Sequence, residues 1–121
     1  MVEITLPWWP KELKRNGDKY HWAAVSKAAK ACKSQAYYEA RKHKPDLSYV
    51  GDIDLEVTFH PKTRNKIDRD NCVASCKHYF DGIALAWEVD DSRFAITPRI
   101  GGPVKGGRVV VRYGLANPER P

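Results

Sequence analysis

The sequence predicts a single α+β domain: a mixed β-sheet flanked by two main helices, in the order β-α-β-α-β-β. Three observations carry this reading. The chain has 121 residues, the length of one domain and enough to bury about two-thirds of its unfolded surface. Short segments alternate apolar and polar residues with period two, the mark of half-buried strands. Two longer windows repeat apolar residues at spacings of three and four, the mark of helices.

The elements follow in order. Residues 2–7, Val-Glu-Ile-Thr-Leu-Pro, alternate and read as a strand. Trp8, Trp9 and Pro10 break the pattern, and residues 11–19 form a basic, Gly-containing loop. Residues 21–44 favour helix, being rich in Ala and Lys with no Gly or Pro before Pro45. Trp22, Val25, Ala29, Cys32, Ala36 and Ala40 make its apolar stripe, leaving Lys27, Lys30, Lys33 and Lys42 on a basic outer side. After a connection from Pro45 to Gly51, Ile53, Leu55, Val57 and Phe59 alternate with Asp54, Glu56 and Thr58 as a second strand. Residues 60–69 are a basic loop with Lys62, Arg64, Lys66 and Arg69.

A second helix is expected over 71–85, with Val73, Cys76, Tyr79, Phe80 and Ile83 inward and Gly82 weakening its last turn. A turn at 89–93 leads to an edge strand, 94–100, that carries Pro98. Gly101, Gly102, Pro103, Lys105, Gly106 and Gly107 form a hairpin-like connection into the last strand, 108–113. The tail from about residue 115 is expected to fray.

Composition narrows the class of protein. The 42% hydrophobic content argues against global disorder. Apolar runs such as 83–87 are far shorter than the ~20 residues of a membrane span. Glu3 and the Trp8-Trp9-Pro10-Lys11 sequence do not suit a secretory signal, so a cytoplasmic location is expected. Three cysteines, Cys32, Cys72 and Cys76, suit free thiols in a reducing compartment. The net charge of +6 points weakly to a polyanionic partner.

Asp68-Arg69-Asp70-Asn71, where the basic loop enters a helix, is the strongest local motif. One reading is helix capping, for which Asp and Asn are favoured. Two aspartates plus an Asn exceed what a cap requires. The other reading is a divalent metal site, because Asp-x-Asp can aim two carboxylates at one hard cation. Asp90-Asp91-Ser92 reads by itself as turn chemistry, with a second meaning if it lies opposite the first pair. An EF-hand from Asp68 is excluded, because Val73 and Tyr79 occupy the positions that need Gly and Glu.

Asp52, Asp54 and Glu56 are read as a solvated strand face. Lys77 follows Asp70 by seven residues, close to two turns, so both can share a helix face. It reads as a solvent-facing lysine or as a cation for a phosphate. Cys72 and Cys76 lack further zinc-ligand spacing and read as thiols. His21, His43, His60 and His78 are scattered. The Gly101–Gly107 segment lacks the residues of a phosphate loop. Trp8 and Trp9 read as core at a strand end in preference to base-stacking platforms.

Together these residues resemble the RusA family of Holliday-junction resolvases, small endodeoxyribonucleases often encoded by phages and prophages. The resemblance spans most of the chain. It runs from Ile4-Thr5-Leu6-Pro7 through Asp68-Arg69-Asp70-Asn71, Lys77, Asp81 and Gly82 to Asp90-Asp91-Ser92 and Lys105-Gly106-Gly107. Some members place the lysine four residues after the second aspartate, where this chain has Ala74. Arg93, Trp9 and residues 11–16 also depart from the family's usual pattern.

The resemblance implies a RusA-like fold and Mg²⁺-dependent phosphodiester hydrolysis, with Mn²⁺ as a substitute. It implies that Asp68, Asp70 and Asp91 are metal ligands, with Asp90 as a fourth, and that Lys77 is the catalytic cation. Lys62, Arg64, Lys66, Arg69, Lys27 and Lys30 would neutralise DNA phosphates. The implied partners are a four-way DNA junction and a second copy of the chain, since two matched nicks suit a C₂ homodimer. No small-molecule cofactor and no membrane are expected. The rival readings are a non-catalytic nucleic-acid-binding protein and a metal nuclease acting on flap or duplex DNA.

Overall fold

The computed structural model describes residues 2–14, 21–47 and 51–113. Part of the basic loop (15–20), part of the connection before the second strand (48–50) and the tail expected to fray lie outside the described residues. The strands are β1 (Val2–Pro7), β2 (Ile53–His60), β3 (Phe94–Ile100) and β4 (Arg108–Tyr113). The helices are α1 (Trp22–Arg41), α2 (Arg69–Ser75) and α3 (Lys77–Trp87). Short 3-10 turns occupy Lys11–Leu13 and Asp91–Arg93.

The four strands form one mixed sheet in the order β1-β4-β2-β3. β4 is antiparallel to both its neighbours, whereas β2 and β3 are parallel, running from Ile53 beside Phe94 to Phe59 beside Ile100. Alternation decides which face each strand residue takes. Ile53, Leu55, Val57 and Phe59 are fully buried and join Ile4, Leu6, Val109 and Val111 in one core with residues of all three helices. The opposite sheet face carries ion pairs, Glu3 with Arg112, Arg112 with Glu56, and Glu56 with Arg99.

Trp8 and Trp9 stack with ring centroids 4.0 Å apart, and Trp9 meets the Phe59 ring edge-on at 5.9 Å. Both therefore serve the core side of the β1 exit. Among the described residues no helix is long and apolar enough to cross a membrane.

Four local expectations are corrected. The helix expected over 71–85 is two helices, broken at Cys76 with φ −95° and ψ 8°. Ser75 Oγ donates to the Asn71 carbonyl at 2.8 Å, a side-chain bond back along the helix that bends it. Gly82 does not fray α3. A Cβ there would stand 2.2 Å from the Lys33 carbonyl and 3.1 Å from Ala36 Cβ, so the glycine permits the close crossing of α1 and α3.

Trp22 leaves the predicted stripe and is 75% exposed, with Ala28 buried instead. It sits at the helix start, where His21 Nδ1 accepts from the Ala23 N–H at 3.1 Å. Finally, β3 and β4 do not pair as a hairpin. β2 lies between them, and the connection crosses its end through bonds from Gly101 N–H to the Phe59 carbonyl and from Val104 N–H to the Pro61 carbonyl.

Candidate metal centre and nucleic-acid surface

The crossover from β2 through α2 and α3 to β3 positions the candidate residues. In each acidic pair the first aspartate serves the backbone. Asp68 caps α2, its Oδ1 accepting from the N–H groups of Asp70 at 2.8 Å and Asn71 at 3.4 Å. Asp90 caps the 3-10 turn, accepting from the Ser92 N–H at 2.9 Å. That bond, with help from the Ser92 hydroxyl, holds the Asp90 carboxyl below the usual carboxylate range. The capping and turn readings of the sequence thus describe Asp68 and Asp90.

The second aspartates, Asp70 and Asp91, do not cap these turns. Asp91 lies beside Asp81, a residue absent from the predicted ligands. A hydrogen bond with the Asp81 carboxyl, then loss of hydration and like charge, hold Asp91 above its ordinary value, against the pull of Lys77. Lys77 Nζ stands 3.5 Å from Asp81 Oδ1 and 3.8 Å from Asp91 Oδ2, and His78 Nδ1 is 3.8 Å from Asp81 Oδ2. The sequence held a signal for Asp81, since it follows Lys77 by four residues and shares its helix face.

Lys77 and Asp91 open onto a cleft of about 340 Å³ between α2 and β3, floored by Val73, Phe80, Phe94 and Ile96. Asp70 precedes Val73 and Ala74 by three and four residues and shares their face of α2. The structure therefore brings together Lys77, Asp81 and Asp91, with Asp90 adjacent, whereas Asp68 and Asp70, exposed at the start of α2, do not line this cleft.

The donor chemistry fits a hard divalent cation. Two carboxylates held within hydrogen-bonding reach of each other are an unfavourable pair that a cation relieves. Among the described residues, however, no group of three or more His, Cys, Asp or Glu side chains is gathered closely enough to hold an ion.

The thiols take no part in this site. All three are free and buried. Burial, with a smaller contribution from the Asp68 charge, pushes Cys72 up to about 11, and burial pushes Cys76 well above its ordinary value. The basic residues expected to meet DNA are exposed: Lys62, Arg64, Lys66 and Arg69 around the loop into α2, and Lys27 and Lys30 on α1. Arg64 and Lys66 border a groove of about 320 Å³ with Ile100, Gly101 and Pro103.

No family model matches the sequence. The chain is 40% identical over 115 residues to an uncharacterized protein of Xylella fastidiosa, covering 92% of this chain and 74% of that one. The two proteins belong to one family.

Proposed function

We propose that the protein is a Mg²⁺-dependent, structure-selective endodeoxyribonuclease that resolves four-way DNA junctions, in the manner of the RusA family its sequence resembles. The observation that supports this reading is the grouping of Lys77 with the Asp81–Asp91 pair at the mouth of a cleft beside α2. A divalent ion held by Asp91, with Asp70, Asp68 and Asp90 the further ligands that the resemblance implies, would polarise the scissile phosphate and acidify a bound water.

The chain's own residues have separate tasks in this reading. Lys77 offsets the negative charge that builds on the phosphate and the leaving 3′ oxygen. Asp81 holds Lys77 in place and raises the proton affinity of Asp91, a strained carboxylate pair that a cation would relieve. Lys62, Arg64, Lys66, Arg69, Lys27 and Lys30 neutralise flanking phosphates, which gives affinity without base preference. A second copy supplies the second nick.

The test compares four-way, flap and linear DNA side by side, each with Mg²⁺ or EDTA. Paired, Mg²⁺-dependent nicks in the four-way substrate are expected. Equal cutting of flap or linear DNA would indicate a general metal nuclease, and binding without cutting would indicate a nucleic-acid-binding protein.

A further inference from the structure

Asp91 stands on a ridge between two hollows. One is the α2–β3 cleft that holds Lys77. The other, about 290 Å³ between α1 and α3, is bordered by Asp81, Asp90, Asp91, Leu85 and Lys33. Lys33 reaches this hollow because Gly82 has no side chain. A Cβ at position 82 would meet the Lys33 carbonyl at 2.2 Å, so the two backbones touch and Lys33 is fixed beside the turn of α3 that bears Asp81. Lys27 and Lys30, about two turns and one turn back along α1, do not border the hollow.

Lys77 is held by Asp81 and Asp91, whereas Lys33 makes no ion pair with any described residue. A phosphodiester strand crossing the Asp91 ridge places phosphates on both sides of three carboxylates. Like charges at such range repel, so the strand needs a cation on each side. Lys77 supplies one, and Lys33, the lysine that borders the second hollow, supplies the other.

Resting on the nuclease reading above, we infer that Lys33 grips the phosphate adjoining the scissile one, on the α1 side of the ridge, and so sets the register of the strand over the site. This role differs from general phosphate binding by α1, because it acts on one phosphate at a fixed distance from the cut.

The experiment uses four-way junctions carrying a neutral methylphosphonate at one position at a time around the mapped nick. In the wild-type protein, one flanking substitution lowers single-turnover nicking about tenfold, the scale of one lost charged contact. Lys33→Met lowers nicking of the unmodified junction by a similar factor, and the methylphosphonate at that one position then costs nothing more, the signature of two groups in one contact. Lys33→Arg restores most of the rate. Arg99→Met, on the opposite sheet face, keeps the wild-type pattern.

Lys33→Met nicking at the wild-type rate, or losses that multiply at every position, would overturn the inference while leaving the nuclease reading intact. A wild-type protein that nicks no junction would overturn both. Melting temperatures of the variants matching the wild type show that the losses are not failures of folding.

Discussion

At the scale of the residue, the two acidic motifs divide their labour in the same way. Asp68 and Asp90 satisfy backbone N–H groups, and the proposed function gives the chemistry to their partners Asp70 and Asp91. Stability and activity should therefore separate. Asp68→Ala loses the α2 cap and is expected to cost about 1 kcal/mol, read as a lower melting temperature in EDTA. Asp70→Asn is expected to abolish nicking with metal-free stability within about 0.5 kcal/mol of the wild type, because Asp70 stands exposed in the first turn of α2, apart from the Asp81–Asp91 pair. A clear drop in its melting temperature would mark Asp70 as a helix-stabilising group instead.

Asp91 gives a pH test. Its folded-state carboxyl is raised above the ordinary 3.8, so the folded protein binds a proton there that the unfolded chain has already lost. Stability from this group is present at low pH and is lost as pH rises through the interval above 3.8. In chelator-treated melts, Asp91→Asn should exceed the wild type at neutral pH, and its lead should shrink as pH falls through that interval. A constant lead would show that Asp81 does not act on Asp91 electrostatically.

At the scale of the element, the strands were legible and the helix contacts were not. β1 and β2 alternate with period two, and 94–100 and 108–113 are short apolar-rich segments bounded by turn residues, so all four could be read from the residues themselves. The break at Cys76 was hidden because Cys72 and Cys76 continue an ordinary helical spacing, while the bend comes from a hydroxyl bonding to the carbonyl four residues back. Gly82 was misread because its role belongs to its neighbour, the Lys33 carbonyl of α1. The hairpin was misread because β2, distant in sequence, inserts between β3 and β4. Gly82→Ala should force α1 and α3 apart at a cost of about 1–3 kcal/mol, seen as a lower melting temperature with helix content retained. Unchanged stability would mean that the crossing relaxes freely.

At the scale of the whole molecule, the +6 net charge is the difference between two separated fields. An acidic group at Asp81, Asp90 and Asp91 borders two adjoining hollows, and exposed basic residues flank it on α1 and on the loop into α2. Sequence spacing alone joined Lys77 to Asp70, by treating as one helix a run that the structure breaks at Cys76. Its pairing with Asp91 depends on where the chain returns after α3, and the place of Lys33 depends on a helix crossing. These are tertiary facts that local patterns do not encode.

The partition makes one central claim, that the acidic minority performs Mg²⁺-dependent strand cleavage while the basic majority holds DNA. The direct measurement is nicking and binding of a four-way junction by the wild type and Asp91→Asn, with Mg²⁺ and with EDTA. Paired nicks are expected only from the wild type in Mg²⁺, with both proteins binding the junction comparably. Nicking by Asp91→Asn at the wild-type rate, or wild-type binding with no nicking in Mg²⁺, would contradict it.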